Sequence, residues 1–397
     1  MKIFSKKKIA VVYSKAETRL KVALVYDRVN KWGGAERVLL ALHEIFPDAP
    51  LYTSVYDPKC APWAKVFPKV HASFLQKIPF IKSLHELFGW LMPIAFESFS
   101  FDDYDLVISV TSEAAKGIIT NKQTLHICYC LTPTRYLWSS HNYYFKNPPV
   151  YFKIFPFFWT ISRPFVAYLK SWEMKAAKRP DKIIAISTEV RNRIKKYYNR
   201  DAEIIFPPVE MHNVKHKFNG NRSYYLIVNR LVPYKKVDLA VSSFNKLRLP
   251  LIVVGTGSEK NKLARIAKHN VRFVGQVSEK ELIRYYQGAK ALVMPQEEDF
   301  GIVAVEAQSF GVPVIAYKKG GALDTVIEGK TGIFFKKQTV KSLMQAVKKF
   351  DKMSFSERIL KVNAKRFSKE VFKKQLQRSL IRSYFGWRRR NSPLAKI

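Results

Sequence analysis

The stretch MPQEEDFGIVAVEAQSFGVPVIA, residues 294–316, decides the fold. It follows an apolar run, ALVM, that reads as a strand stopping at Pro295. QEEDFG reads as a loop, and IVAVEAQSF as a helix closed by Gly311, the residue type that most readily takes left-handed backbone at a helix C-terminus. VPVIA begins the next strand. This succession is the unit of a doubly wound parallel sheet, in which ligands bind beyond the carboxyl ends of the strands. Glu298 and Glu306 stand eight positions apart, about two helical turns, yet Gly301 puts Glu298 on the loop and Glu306 a little over one turn into the helix. The start of that helix, Gly301 and Ile302, offers free N–H groups and a partial positive charge suited to a phosphate. Helical side chains lean toward the N-terminus, so the Glu306 carboxylate can reach back to accept hydrogen bonds from a diol such as a ribose.

A diphosphate also needs positive charge, and VNRLVPYKKVDLA supplies it: Arg230 and Lys235 stand five apart, just past the apolar run YYLIV. Arginine offers a planar fork for phosphate oxygens and lysine a mobile point charge. Together they can neutralise a leaving diphosphate as its charge develops, without a metal.

Outward from these stretches the same rhythm recurs. KVALVYD (21–27) is a buried strand, and GGAERVLLALHEIF is a glycine loop and helix with apolar residues at Val38, Leu39, Leu42 and Ile45. YDLVISVTS (104–112), LHICYCLTP (125–133), DKIIAIST (181–188) and AEIIFPPV (202–209) repeat the strand pattern. At 207–223, PPVEMHNVKHKFNGNRS has two prolines and no apolar period and reads as a linker. The rhythm then restarts with YYLIVNRL, LPLIVVGTG, VRFVGQ, ALVMP and VPVIAY. The expected organisation is a basic extension over 1–20, an α/β domain over 21–208, a second over 209–353, and basic helices over 354–397 that cross back to the first domain. GTG (255–257) lacks the third glycine of a dinucleotide fingerprint.

Bulk composition agrees. A chain of 397 residues exceeds one ordinary core, and 47% hydrophobic with 25% charged residues fits a folded globular protein. No apolar run reaches the ~18–20 residues of a membrane span. The N-terminal apolar run, Ile9–Tyr13, is shorter than the roughly 7–15 residues of a signal peptide, so a cytoplasmic location is expected. Cys60, Cys128 and Cys130 have no metal-ligand spacing and read as buried thiols, the last two on one strand face. Sixty-nine Lys and Arg against 31 Asp and Glu leave a net charge of +38, which calls for an anionic partner or a solvated basic surface. Residues 74–101 and 144–170 are dense in Phe, Trp and Tyr between lysines and prolines. They read either as core helices or as segments inserting shallowly into an anionic membrane surface.

Glu298 and Glu306 with FG between them and EAQSFGVPVIA after them, together with Arg230 and Lys235, resemble the signature of the family 4 retaining glycosyltransferases. GGAERV (33–38), ISTEVRNRIKKYY (186–198), IIFPPV (204–209), FVGQVSEKEL (273–282) and KGGALDTVIEGKTGIFF (319–335) resemble it too, in order over residues 21–350. The resemblance implies the GT-B fold: two Rossmann-like, doubly wound α/β domains facing across a cleft, the C-terminal one holding a nucleotide diphosphate sugar and the N-terminal one the acceptor. It gives Glu306 to the ribose, Glu298 to the donor sugar, and Arg230 and Lys235 to the diphosphate. Gly33 and Gly34 would let their loop approach the diphosphate, and Gly275 would lie near the base. Retaining members work by front-face attack, the leaving phosphate helping to take the acceptor proton, so no metal and no cofactor beyond the donor are implied. CYCLTPTRYLW (128–138) resembles the YCHTPxRYxW stretch of mannosyltransferase-like members that build surface polysaccharides, which points to GDP-mannose as donor and a lipid-linked glycan as acceptor. Thr132 and Arg135 would then face the acceptor or the sugar. The histidine expected at 131 is Leu131, which cannot hydrogen-bond through its side chain. Either His126 or a backbone carbonyl substitutes, or the sugar specificity has drifted. Two other readings compete: a nucleic-acid binder, motivated by the charge but without a legible binding module, and a catalytically inactive GT-B scaffold subunit, motivated by Leu131.

Overall fold

A computed structural model describes residues 20–139, 141, 158–211 and 220–391. The chain forms two compact units. The first comprises the described residues up to 186, residues 190–205 and those from 375 onward; the second comprises 187–189 and 206–374. The basic extension, much of the second aromatic stretch, the middle of the linker and the last tail residues lie outside the described residues.

The first unit holds β1 (Val22–Tyr26), β2 (Leu51–Thr53), β3 (Val70–Ala72), β4 (Leu106–Thr111), β5 (Leu125–Cys130), β6 (Lys182–Ala185) and β7 (Glu203–Ile204). They form one parallel sheet in the order β3-β2-β1-β4-β5-β6-β7. Helices α1 (Gly34–His43), α2 (Phe158–Ala176) and α3 (Thr188–Tyr198) follow β1, β5 and β6. Every residue of β1, β4 and β5 is buried. Helices cover both faces of a parallel sheet, so its central strands are buried along their whole length and largely apolar, with Ser109, Thr111 and His126 as buried polar exceptions.

The second unit repeats the plan with β8 (Tyr224–Val228), β9 (Leu251–Val254), β10 (Val271–Gly275), β11 (Ala289–Met294), β12 (Val314–Tyr317) and β13 (Gly332–Phe335). Their order is β10-β9-β8-β11-β12-β13, the classic dinucleotide-fold arrangement in local numbering. Alternate strand residues feed two cores. Tyr225, Ile227, Val293 and Ile315 pack with Phe244, Val241 and Val347, whereas Leu226, Leu292, Met294 and Ala316 pack with Ala304, Ala307 and Phe310. The longer helices are α4 (Val237–Leu247), α5 (Lys260–Ile266), α6 (Glu279–Gln287), α7 (Ile302–Ser309), α8 (Val340–Phe350) and α9 (Glu357–Lys365), with a single turn at Ala322–Thr325. The architecture is the GT-B pair of parallel α/β units.

The second unit runs to Lys374 rather than to 353. Asn363 explains the extension: its Nδ2 donates to Gln308 Oε1 at 2.6 Å and to the Thr325 carbonyl at 2.9 Å, fixing α9 on α7. The last helix, α10 (Lys369–Asn391), crosses the boundary at 374/375. In the first unit it buries Leu376 and Leu380, and its Ser379 and Arg382 donate to Glu203 at 2.6 and 2.7 Å.

Cys128 and Cys130 are buried on β5, but Cys60 is exposed on a loop, so one of the three thiols departs from expectation. Residues 74–97 form short helices that bury Leu75, Ile81, Met92 and Phe96 yet leave Phe80 79% and Trp90 42% exposed. Along α2, Phe165 and Tyr168 are exposed, and the Phe165 ring centroid lies 5.9 Å from that of Trp90. These stretches therefore divide between core and exposed aromatic surface. Among the described residues no helix is long and apolar enough to cross a membrane.

Candidate functional site

In a doubly wound sheet the crevice opens where strand order reverses. In the second unit that point lies between β8 and β11. Arg230 and Lys235 follow β8, and Glu298 and Gly301 follow β11, so four of the residues expected from sequence meet at the switch point.

Lys235 sits in a short 3-10 turn, Pro233–Lys235, 8% exposed, and its Nζ donates to Glu298 Oε1. The two side chains are 11% and 15% exposed, and Gln296 Nε2 donates to the same Glu298 oxygen at 2.8 Å. Arg230 is exposed and donates to the Tyr234 hydroxyl at 2.6 Å, while Lys235 Nζ lies 5.3 Å from the Tyr234 ring centroid. Tyr234 thus tethers both cations of the pair.

Gly301 caps α7 at φ +88°, a region that side chains with a Cβ rarely adopt. An added Cβ would also stand 2.9 Å from Met294 Cε. The loop behind it is clamped by the KGG turn. Gly321 N donates to the Glu298 carbonyl at 2.8 Å, and a Cβ on Gly320 would come within 2.3 Å of that same oxygen. Glu306 lies one turn into α7, 6% exposed, and accepts from the Tyr286 hydroxyl at 2.8 Å; the Tyr286 ring stacks on Phe310 at 5.4 Å. Gly275 ends β10 at φ +76° with open space where a Cβ would stand.

The first unit has its own switch point between β1 and β4. Asp27, just past β1, is buried and accepts from the N–H groups of Ser112, Glu113 and Ala115 at 2.7–3.1 Å, stapling the turn after β4. Arg28 pairs with Glu113 across the same point. Gly33 is extended, φ −175°, so its backbone suits any residue; what it provides is room, since a Cβ would lie 3.1 Å from Glu36 Oε2. Gly34 begins α1. Glu36 is 1% exposed and accepts from Tyr26 at 2.7 Å. Burial, then the Glu36 carboxylate, pushes the Tyr26 phenol well above its ordinary range.

Beyond β5, Leu131 donates its N–H to the Thr111 carbonyl at 2.8 Å, and Thr132 is buried and accepts from Arg193 at 3.4 Å. Arg135 is half-buried on the turn that follows. Glu173 of α2 anchors this loop, accepting from Thr134 Oγ1 at 2.6 Å and from Trp138 Nε1 at 2.9 Å. Tyr198 donates to it too, and Lys116 pairs with it at 2.7 Å.

His126 does not belong to this neighbourhood. It is the second residue of β5, at the amino end of the strand, four residues or roughly 13 Å from the carboxyl end. It is 0% exposed, and its Nε2 lies 2.8 Å from Ser109 Oγ. Burial, reinforced by Arg179 and Arg200, lowers its pKa to about 3, so the ring is neutral. His126 is a core residue and cannot replace a histidine at 131.

Sequence reading missed Gln296, Tyr234, Tyr286 and Glu36. Glu36 lies inside the quoted GGAERV, but nothing in its spacing signals a buried acceptor; the other three are polar or aromatic residues whose partners come only with the tertiary fold.

The fold is the GT-B pair of α/β units, and the charged cluster lies at the switch point of the second. Residues 209–367 match the family model for "Glycosyl transferases group 1". The chain is similar to an uncharacterized glycosyltransferase of Methanocaldococcus jannaschii, 27% identical over 200 residues, 49% of this chain and 56% of that one. A GDP-mannose-dependent alpha-(1-6)-phosphatidylinositol monomannoside mannosyltransferase of Mycolicibacterium smegmatis is 32% identical over 146 residues, 32% of this chain and 38% of that one. The chain therefore spans little more than half the length, or less, of these curated relatives. Among solved structures, Anabaena HepE in complex with UDP and glucose superposes with a TM-score of 0.63 at 17% identity, over 91% of this chain and 99% of that one. WaaG, a glycosyltransferase involved in lipopolysaccharide biosynthesis, gives 0.58 at 15% identity over 87% and 93%. At such identities these two likenesses speak to the fold.

Proposed function

We propose that the protein is a retaining glycosyltransferase that moves a hexose from a nucleotide diphosphate sugar to a lipid-linked or surface-polysaccharide glycan. The observation that carries this reading is the meeting of Lys235 and Glu298 at the switch point of the family-matched unit. Arg230 and Lys235 neutralise the diphosphate as it leaves, aided by the N–H groups at Gly301 and Ile302. Glu306, oriented by Tyr286, accepts from the ribose hydroxyls, and Glu298 accepts from a hydroxyl of the transferred sugar. The leaving phosphate takes the acceptor proton on the same face, so the residues work without a metal. Gly33, Gly34 and Gly275 leave space for the donor, and Thr132 and Arg135 serve the acceptor or the sugar.

Mannose from GDP-mannose is the donor we favour, on the TPTRYLW stretch and on the similarity to a GDP-mannose-dependent enzyme. Leu131, which cannot hydrogen-bond through its side chain, favours a hexose other than mannose as the second reading. The exposed aromatic surface and the +38 charge support work at the inner face of an anionic membrane, as a cytoplasmic peripheral protein.

The test is a melting-point panel of nucleotide sugars on the purified chain, followed by product analysis. A ligand that binds only the folded state raises the melting point. GDP-mannose is expected to raise it, and Glu306→Ala to weaken nucleotide binding about tenfold, the loss of one charged hydrogen bond. A shift by UDP-glucose alone reverses the sugar assignment and keeps the reaction class. Binding without turnover of any donor favours the inactive scaffold, and no binding at all sinks the proposal.

A further inference from the structure

Gln296 lies just past the end of β11, two residues before Glu298, and no solvent reaches it. Its Nε2 donates to Glu298 Oε1 at 2.8 Å, the oxygen that Lys235 also holds. Its own Oε1 is buried and meets no donor among the described residues. A buried amide oxygen without a donor is unfavourable. Turning the amide over would not help here, because it would set Oε1 against the Glu298 carboxylate and remove the bond from Nε2. The side chain is thus held in a costly orientation whose one polar contact is Glu298.

The segment around it is fixed independently. Gln338 Nε2 donates to the Pro295 carbonyl at 2.8 Å, and Gly321 N to the Glu298 carbonyl at 2.8 Å. Lys235 differs: a lysine ammonium is a point charge on a flexible stem. On the donor reading above, which this inference rests on, a diphosphate competes with one carboxylate for that ammonium. When Lys235 turns to the diphosphate, Glu298 loses its charged partner at the moment its position matters.

We propose that Gln296 is a positioning residue, which keeps Glu298 in place when the diphosphate draws Lys235 away. Being neutral, inaccessible and backbone-anchored, Gln296 is not recruited by the phosphate. With Nε2 on Oε1, Glu298 keeps Oε2 turned to a sugar hydroxyl.

Gln296→Met keeps the length of the side chain and removes the donor; Gln296→Glu keeps its shape and opposes two carboxylates. For the full chain, donor consumption gives kcat and KM, and titration with GDP and UDP gives nucleotide affinity. Both variants are expected to lower kcat about 10- to 100-fold, the usual effect of misplacing a reacting-site group, with nucleotide affinity within about twofold of the parent. A merely structural role would lower nucleotide affinity and kcat together, and that result overturns the proposal. So does an unchanged kcat in whichever variant folds. If the parent chain turns over no donor, the donor reading fails and this one with it; if the parent is active and the variants are too, only this one fails.

Discussion

At the scale of single residues, the places of Glu298, Glu306, Arg230 and Lys235 in the fold were legible because apolar periodicity locates the strand ends and the helix that carry or precede them. His126 shows the limit of that reasoning. Alternation tells which face of a strand a residue uses, but not how far along the strand it lies from the ligand-binding end. Its burial has a measurable consequence. The folded pKa of about 3 lies far below the ordinary value near 6.5, so between these pH values the unfolded chain binds the extra proton. Stability from this group is full above about pH 6.5 and is lost as pH falls toward 3, at up to ~1.4 kcal/mol per pH unit. Urea unfolding at pH 7, 6 and 5 is expected to show this slope, and His126→Gln to flatten it. A variant with the parent's slope would contradict the assignment.

At the scale of elements, helix α2 and the turn after β4 are joined through one buried ion pair. Lys116 is 2% exposed and Glu173 1%. Burial pushes the Lys116 ammonium down, but the Glu173 carboxylate, with Cys130 and Asp27 nearby, holds it up; burial likewise raises Glu173, and Lys116 with the hydrogen bonds from Thr134 and Tyr198 holds it low. Glu173 therefore stabilises the fold above its ordinary carboxylate range, and that contribution is lost as pH falls through its lowered folded pKa. Lys116→Met leaves a buried carboxylate without its cation and is expected to destabilise the first unit by ~3–5 kcal/mol, read as a fall in the urea midpoint. A midpoint within error of the parent would show that Glu173 takes up a proton at little cost. Most strands were readable from their apolar runs, though β2, β3 and β13 were too short or too mixed to read, and this pair was not readable at all. An AAKG turn and a WEMK helix segment carry no local sign that they meet, and the contact depends on chain crossings 57 residues apart.

At the scale of the whole molecule, a charge of +38 and the exposed rings of Trp90, Phe165 and Tyr168 make one joint prediction. The chain should sediment with vesicles containing anionic lipid and not with zwitterionic ones, and release as salt shortens the Debye length to about 3 Å at 1 M. Trp90→Ser with Phe165→Ser should reduce binding without changing nucleotide affinity; equal binding to both vesicle types would remove the membrane from the proposal. The division into two α/β units was readable because the strand rhythm stops and restarts. The end of the second unit was not, because α9 buries Leu360, Asn363 and Ala364 and nothing local in the sequence shows which unit that face meets. Helix α10 carries a further consequence. The first unit buries Leu376 and Leu380, which follow the whole of the second unit's sheet in sequence, although its own sheet is complete at residue 204. During synthesis at about 5–20 residues per second, that sheet must wait roughly 10–40 s for its final helix. The interval exposes the β6–β7 edge to chaperones and proteases in the newborn chain, and ribosome-stalled fragments ending before 375 are the species in which that vulnerability is greatest.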